Sequence, residues 1–359
     1  MAPLHSSYPW LEPSKPPIVS APMMKIAMAE LALAVSRARG LGFLAAGFDL
    51  SPLAKHLAEV ARLHASKPIS QAPEDVLPIG VGFLNWGADI DLAVEALTKF
   101  PVAAVWFFAP AQLPDLLPWA AAIREINRGR TQIWVQVGTV AEALEVANTV
   151  KPDVLVVQGA DSGGHGLVQR AGITTLLPEV SDALAEQGIN MPLVAAGGII
   201  DGRGAAAALA LGADGLCLGT RFLASHEAAI AKGYKDQILR VADGGVTTVV
   251  STVYDVVRGI TGWPTSYNGR GVANRSYLDA MEGMSNEENE ALYKEAIKVG
   301  DAGWGPEGRM TTYAGTGLGL VREDKAAADI VAEVRDDAVA ILRRRAGVYE
   351  AKVSSRATE

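Results

Sequence analysis

The densest run of residues able to do chemistry is Gln158-Gly-Ala-Asp-Ser-Gly-Gly-His-Gly166, which follows a short apolar stretch. Gln158 can donate and accept at the edge of a heterocycle, and Ser162 adds a hydroxyl contact in the same loop. Gly163 and Gly164 remove side chains that would obstruct a flat ring. His165 then faces the ligand, and an imidazole with an unperturbed pKa of about 6.5 suits proton transfer near neutral pH. A lone loop histidine is more often a structural hydrogen bonder, but none of the others shares this setting. His5 lies in the N-terminal stretch, His56 and His64 on an outer helix, and His226 just past the last strand.

Two further glycine-bearing runs, Val194-Ala-Ala-Gly-Gly-Ile199 and Cys217-Leu-Gly-Thr220, end short apolar segments. Gly197 and Gly198 let the chain approach a ligand and expose successive N–H groups, while Gly219 and the Thr220 hydroxyl add donors. Together they form a phosphate cradle that requires no cationic side chain. Cys217 and Leu218 border it, although Cys217 also suits the role of a small buried filler. Ala21-Pro22-Met23-Met24 ends the first apolar run and presents thioethers that can pack on a flat ring or simply fill core. Gln136 is a polar residue inside an apolar run and either contacts the ring or satisfies a neighbouring backbone group. Asn85, or the Gly82 amide, can reach the ligand from the Gly82-Phe-Leu-Asn-Trp86 segment. Trp86, Trp106, Phe107 and Trp263 are candidate walls of an apolar substrate pocket, with Met24 and Asn85 beside Trp263.

The elements that position these residues alternate with the rhythm of parallel β/α units. Strands are expected at 17–22, 42–47, 77–83, 103–109, 132–137, 153–158, 192–196 and 215–218. Their nearly continuous apolar composition fits strands covered on both faces. Helices are expected at 27–39, 52–66, 89–99, 112–127, 140–149, 174–187 and 204–211, and a final one over 325–345 whose Arg343-Arg344-Arg345 run completes its C-terminus. About eight strands, each but the last followed by a helix, match an α/β closed (β/α)8 TIM barrel better than an open doubly wound sheet. Barrel active sites lie at the strand C-termini, and phosphate recurs after strands seven and eight. Residues 1–224 and 320–359 would form the barrel, and 225–319 an insertion capping its mouth.

The chain has 359 residues, 49% hydrophobic and 20% charged, with 37 glycines, as expected for a compact enzyme with many tight loops. Its net charge of -8 argues against nucleic acid or an anionic membrane as main partner and favours a small molecule. One cysteine precludes an intrachain disulfide and suggests a reducing, cytoplasmic setting. Met1 to Pro16 holds four prolines and lacks the pattern of a secretory signal. No apolar run approaches the roughly 20 residues of a membrane span. Metal-ligand spacing, a nucleophile elbow and an early dinucleotide fingerprint are not found in the sequence.

These motifs, from Ala21-Pro-Met-Met24 through Gly315-Thr-Gly-Leu-Gly319, resemble the nitronate monooxygenase family, formerly the 2-nitropropane dioxygenases, FMN-dependent (β/α)-barrel enzymes. The sharpest element is Gln-Gly-x-acid-x-Gly-Gly-His, read here as Gln158 to His165 with Asp161 where glutamate is common. The resemblance implies FMN contacts at Gln158 and Gly163, phosphate contacts at Gly197, Gly198, Gly219 and Thr220, and His165 as catalytic base. The implied reaction is oxidation of alkyl nitronates by FMN and O2 to a carbonyl compound and nitrite, with nitroalkanes as further substrates. Many members carry asparagine after Gly-Val on strand three, whereas this chain reads Gly80-Val-Gly82. Alternatives are an NAD(P)H-dependent flavin enoyl reductase of the same superfamily, a non-redox barrel binding a sugar phosphate, or a catalytically idle FMN-binding protein.

Overall fold

The structure, a computed structural model, describes residues 3–356, with side-chain surroundings from 4 to 348. Its strands in chain order are β1 (Ile18–Ser20), β2 (Phe43–Gly47), β3 (Leu77–Leu84), β4 (Val102–Phe108), β5 (Gln132–Val137), β6 (Val154–Gln158), β7 (Gly164–Leu167), β8 (Leu193–Ala196), β9 (Gly215–Leu218), β10 (Thr248–Ser251) and β11 (Tyr267–Val272). Eight of them pair in parallel in the order β1-β9-β8-β6-β5-β4-β3-β2. The ring closes where Ser20 N donates to Leu41 O (3.2 Å) and Leu41 N donates to Ile18 O (2.9 Å). The chain is thus a TIM barrel of eight parallel strands wrapped by helices.

Strand alternation explains the two apolar layers. On β4, Ala104 and Trp106 point into the barrel, while Val105 and Phe107 point out against the helices. Both faces are buried, so the runs read as continuously apolar. Several helices begin where an oxygen side chain accepts the first free amides, as Asp89 does from Asp91 N and Leu92 N, and Thr139 from Glu142 N.

Three features differ from the expected elements. The helix expected over 112–127 opens as a 3-10 turn, Leu113–Asp115, before Leu116–Asn127, with Pro114 in its first turn. The last helix runs Ala327–Arg356, so Arg343 to Arg345 lie within it rather than at its end. The glycine-rich segment after β6 is not all loop. Its β7 joins a second, antiparallel sheet, β10-β11-β7, in which Tyr267 pairs Leu167, Gly269 pairs His165 and Arg270 pairs Gly164. Among the described residues no helix is long and apolar enough to cross a membrane.

The segment before β1 closes the barrel floor. Leu4, Tyr8, Trp10 and Leu11 are at most 2% exposed and pack with inward residues such as Phe43, Trp134 and Val194. Trp134 Nε1 donates to the Tyr8 hydroxyl (2.7 Å), and Trp10 Nε1 donates to Gly40 O (3.0 Å). A buried indole N–H left without an acceptor costs about 1–3 kcal/mol, and a large cavity costs more. Tyr8→Phe is expected to destabilise by about 1–2 kcal/mol and Tyr8→Ala by about 3–5 kcal/mol. Denaturant midpoints of the two variants and the wild type check the order; midpoints unchanged from wild type in both would show that the plug contributes nothing.

Candidate active site

A cavity of about 530 Å³ opens at the C-terminal mouth of the barrel, within the usual range for a small-molecule site. One wall is the turn after β8. Gly197 (φ +104) and Gly198 (φ +77) both lie in the left-handed region that favours glycine. A Cβ at Gly197 would sit 2.9 Å from Gly159 O, so that turn must stay bare. Beside it, Gly219 leads into the short helix Thr220–Leu223. Thr220 Oγ1 accepts from Gly315 N (2.9 Å), which leaves the hydroxyl proton for a ligand. Ser162 also lines this wall, and its Oγ accepts from Arg170 Nη2 (2.9 Å).

Two cationic side chains stand behind the loop that follows β6 without lining the cavity. Arg170 donates to Leu167 O and Gly159 O, and Arg270 Nη2 donates to Ala160 O (3.1 Å). Burial, with Arg270 nearby, pulls the Arg170 guanidinium down to about 10, so it stays charged at neutral pH. The two groups order the loop that carries Gly163 and Gly164.

Across the cavity lie Ala21, Pro22, Met23 and Met24 from the end of β1. Gly82 faces them because a Cβ there would fall 2.3 Å from Pro22 Cβ, so the proline ring occupies the space a larger residue would need. Gln136 reaches the cavity from β5. Its Oε1 accepts from Trp106 Nε1 (3.1 Å), and its buried Nε2 has no partner among the described residues. Gln158 also borders the cavity, with Nε2 donating to His165 O (3.0 Å) and so tying β7 to β6. Gly164 (φ +66) has open space where a side chain would be, whereas a Cβ at Gly163 would meet the Ala314 carbonyl carbon at 2.3 Å. Gly163 is therefore required by the Ala314-Gly315 backbone rather than by a ring alone.

Four expected residues do not reach the cavity. Leu218 points outward into the sheet–helix core because it alternates with Cys217, and only its carbonyl is engaged, by Ala21 N at 2.9 Å. Asn85 staples β3 to β4: its Oδ1 accepts from Phe108 N (2.9 Å) and its own N donates to Phe108 O (2.8 Å). Phe107 faces the helices beside Phe83 and Trp119, and Phe108 takes its place on the cavity wall. Trp86 packs behind Trp263, their centroids 5.5 Å apart.

His165 sits in the middle of β7, and its Nε2 lies 2.7 Å from Asp255 Oδ2. Both side chains are under a tenth exposed, at 9% and 8%. Asp255 stands on the short helix Val253–Val256, and its Oδ1 accepts from the Tyr313 hydroxyl (2.9 Å). Burial, then the adjacent Asp255 charge, raises the Tyr313 phenol well above its ordinary range, so it remains a donor. Trp263 lies flat on the imidazole, 3.6 Å between centroids and 2° between planes. Gly269, paired opposite His165, must be bare, since a Cβ would lie 2.7 Å from Tyr313 and 3.3 Å from the imidazole. A carboxylate acceptor fixes Nε2 as the protonated nitrogen, which leaves the Nδ1 lone pair available. The constellation is an imidazole oriented by a carboxylate beside a glycine-built turn, an arrangement able to accept a proton.

Asp255, Tyr313 and Gly269 were not singled out from the sequence. The available signal was weak: one acid among apolar neighbours in Thr252-Val-Tyr-Asp-Val-Val-Arg-Gly259, followed by a glycine helix stop.

A family model described as nitronate monooxygenase matches residues 95–337. The chain is 49% identical over 343 residues to the nitronate monooxygenase npaC of Metarhizium robertsii, covering 94% of this chain and 95% of that one. In structure it is similar to FabK from Thermotoga maritima (TM-score 0.73, 25% identity, covering 97% and 99% of the two chains). It is also similar to a nitroalkane oxidase from Streptomyces ansochromogenes (TM-score 0.71, 25% identity, covering 96% and 99%).

Cys217 borders the cavity but is only 3% exposed, and burial raises its thiol far above the ordinary value. A raised thiol pKa means that the reactive thiolate is scarce at pH 8. The native protein is therefore expected to leave Cys217 unmodified by a disulfide reagent at pH 8, with one equivalent reacting on unfolding. Rapid stoichiometric labelling of the folded protein would refute the assignment.

Proposed function

From the premise that this chain belongs to the nitronate monooxygenase family, we propose that it is an FMN-dependent oxidoreductase that converts alkyl nitronates and O2 to carbonyl compounds and nitrite. The observation that carries this reading is the 2.7 Å contact of His165 Nε2 with buried Asp255, beside a cradle of two left-handed glycines. The residues present fit FMN. Gly197 and Gly198 leave room for a phosphate against main-chain amides, with Thr220 and Ser162 hydroxyls beside them, and the unpartnered Gln136 Nε2 is a donor for a ring heteroatom. When bound, FMN supplies the electron acceptor; the chain supplies binding, orientation and proton handling.

Residues 225–319 act on this reading as a cap, since they bring Asp255, Trp263 and Tyr313 over the mouth. Trp263 covers one face of His165 and keeps water from it. Asp255 holds Nε2–H, so Nδ1 takes the α-proton of a neutral nitroalkane, and the imidazolium formed is stabilised by the carboxylate and the stacked indole. A nitronate needs no deprotonation and asks of His165 only orientation.

His165→Asn is expected to lower kcat/KM for a neutral nitroalkane by about 100-fold or more, while flavin absorbance and nitronate turnover persist. Asp255→Asn is expected to lower the same parameter by about tenfold or more, because an amide can donate to Nε2 and leave Nδ1 protonated. Unaltered nitroalkane turnover in His165→Asn would eliminate the base role. Anaerobic mixing separates the reductase alternative: bleaching by nitronate supports the proposal, and bleaching by NADPH alone opposes it. A protein that neither carries nor takes up FMN sinks the cofactor assignment.

A further inference from the structure

Just past Asp255, the turn that ends the short helix brings a second charge to the cavity. Gly259 N donates to Val256 O (3.0 Å) and Ile260 N to Asp255 O (2.9 Å), with Gly259 at φ +67. This helix ending fixes the backbone of Arg258, three residues beyond Asp255, so that both lie on one face. Arg258 lines the cavity, with its guanidinium carbon 5.4 Å from the Tyr313 ring centroid. His165 is a neighbour of the same ring, at 5.3 Å between centroids.

The charges around the cavity are few. Asp255 is already engaged by His165 and Tyr313. Lys25, the other lysine or arginine on the lining, is exposed to solvent. Arg258 is partly buried and forms no ion pair within 4.0 Å with a carboxylate of the described residues; the Asp255 contacts are those of His165 and Tyr313. Tyr313, Tyr293 and the Asp255 charge together keep the guanidinium charged against its burial, and an anionic substrate entering beside Asp255 needs such a compensating cation.

We infer that Arg258 is the substrate-binding residue that receives the two nitronate oxygens, and that it makes the cavity selective for the anionic form of a nitro compound. This rests on the proposed nitronate reaction. The planar guanidinium fork matches the planar O–N–O head, which a lysine ammonium does not. A neutral nitroalkane carries only partial charge on those oxygens and gains less on binding. Once Nδ1 removes its proton, the developing negative charge falls on the group that Arg258 faces.

Nitrate serves as a redox-inert planar probe. Its affinity for the FMN-loaded protein is read by calorimetry or by perturbation of the flavin spectrum. Arg258→Met is expected to weaken nitrate binding about tenfold or more, the scale of one charge-assisted hydrogen bond, and Arg258→Lys to fall between. KM for ethylnitronate rises in parallel in Arg258→Met, whereas KM for nitroethane changes less than twofold. Nitrate affinity unchanged in both variants overturns the inference, as does an equal rise of KM for both substrates, which marks general damage to the pocket. Because nitrate binding is read without turnover, wild-type protein that binds nitrate through Arg258 yet leaves nitronates untouched sinks the proposed reaction while sustaining the anion site.

Discussion

The site depends on one buried charge-assisted hydrogen bond, from His165 Nε2 to Asp255 Oδ2, made across 90 residues of sequence. Removing the imidazole would leave the Asp255 carboxylate short of a donor in a dry setting, a loss of about 1–3 kcal/mol or more. The pair therefore needs every remaining lone pair satisfied. Tyr313 supplies a donor to the second carboxylate oxygen, and Trp263 closes one imidazole face. What holds the pair in register is the β7–β11 ladder, in which Gly269 opposite His165 leaves the space that the imidazole and Tyr313 share.

The same economy governs the rest of the mouth. Gly82 yields to Pro22, Gly262 yields to Trp86, where a Cβ would lie 1.9 Å from the indole, and Gly163 yields to Ala314-Gly315. Each glycine permits a backbone or ring approach that sets a wall of the cavity. The result is a mouth with two chemical ends: bare amides and hydroxyls by β8 and β9, and a His–Asp pair with a neighbouring guanidinium under the 225–319 segment. The floor is filled by Tyr8 and Trp10, packed with the inward residues of the strands.

Much of this was legible in the residues themselves. The eight parallel strands follow from apolar runs at β/α spacing, since a strand covered on both faces has no polar position to spare. Gly197-Gly198 and Gln158 to His165 stood out because barrel chemistry gathers at strand ends. Alternation should have excluded Leu218 and Phe107, whose neighbours Cys217 and Phe108 face the cavity instead. Asn85 was misleading because an amide that satisfies the adjacent strand end looks, in sequence, like one aimed at a ligand.

Local pattern, then, determined the barrel, its mouth and the placement of a histidine on it, because periodicity and glycine placement act within a few residues. Tertiary structure decided which acid orients that histidine, which arginine borders it, and that residues 4–11 plug the floor. Those outcomes hang on the pairing of β7 with β11 and on packing between segments far apart in the chain. No local spacing encodes such contacts, since they exist only once the sheets have closed and excluded water.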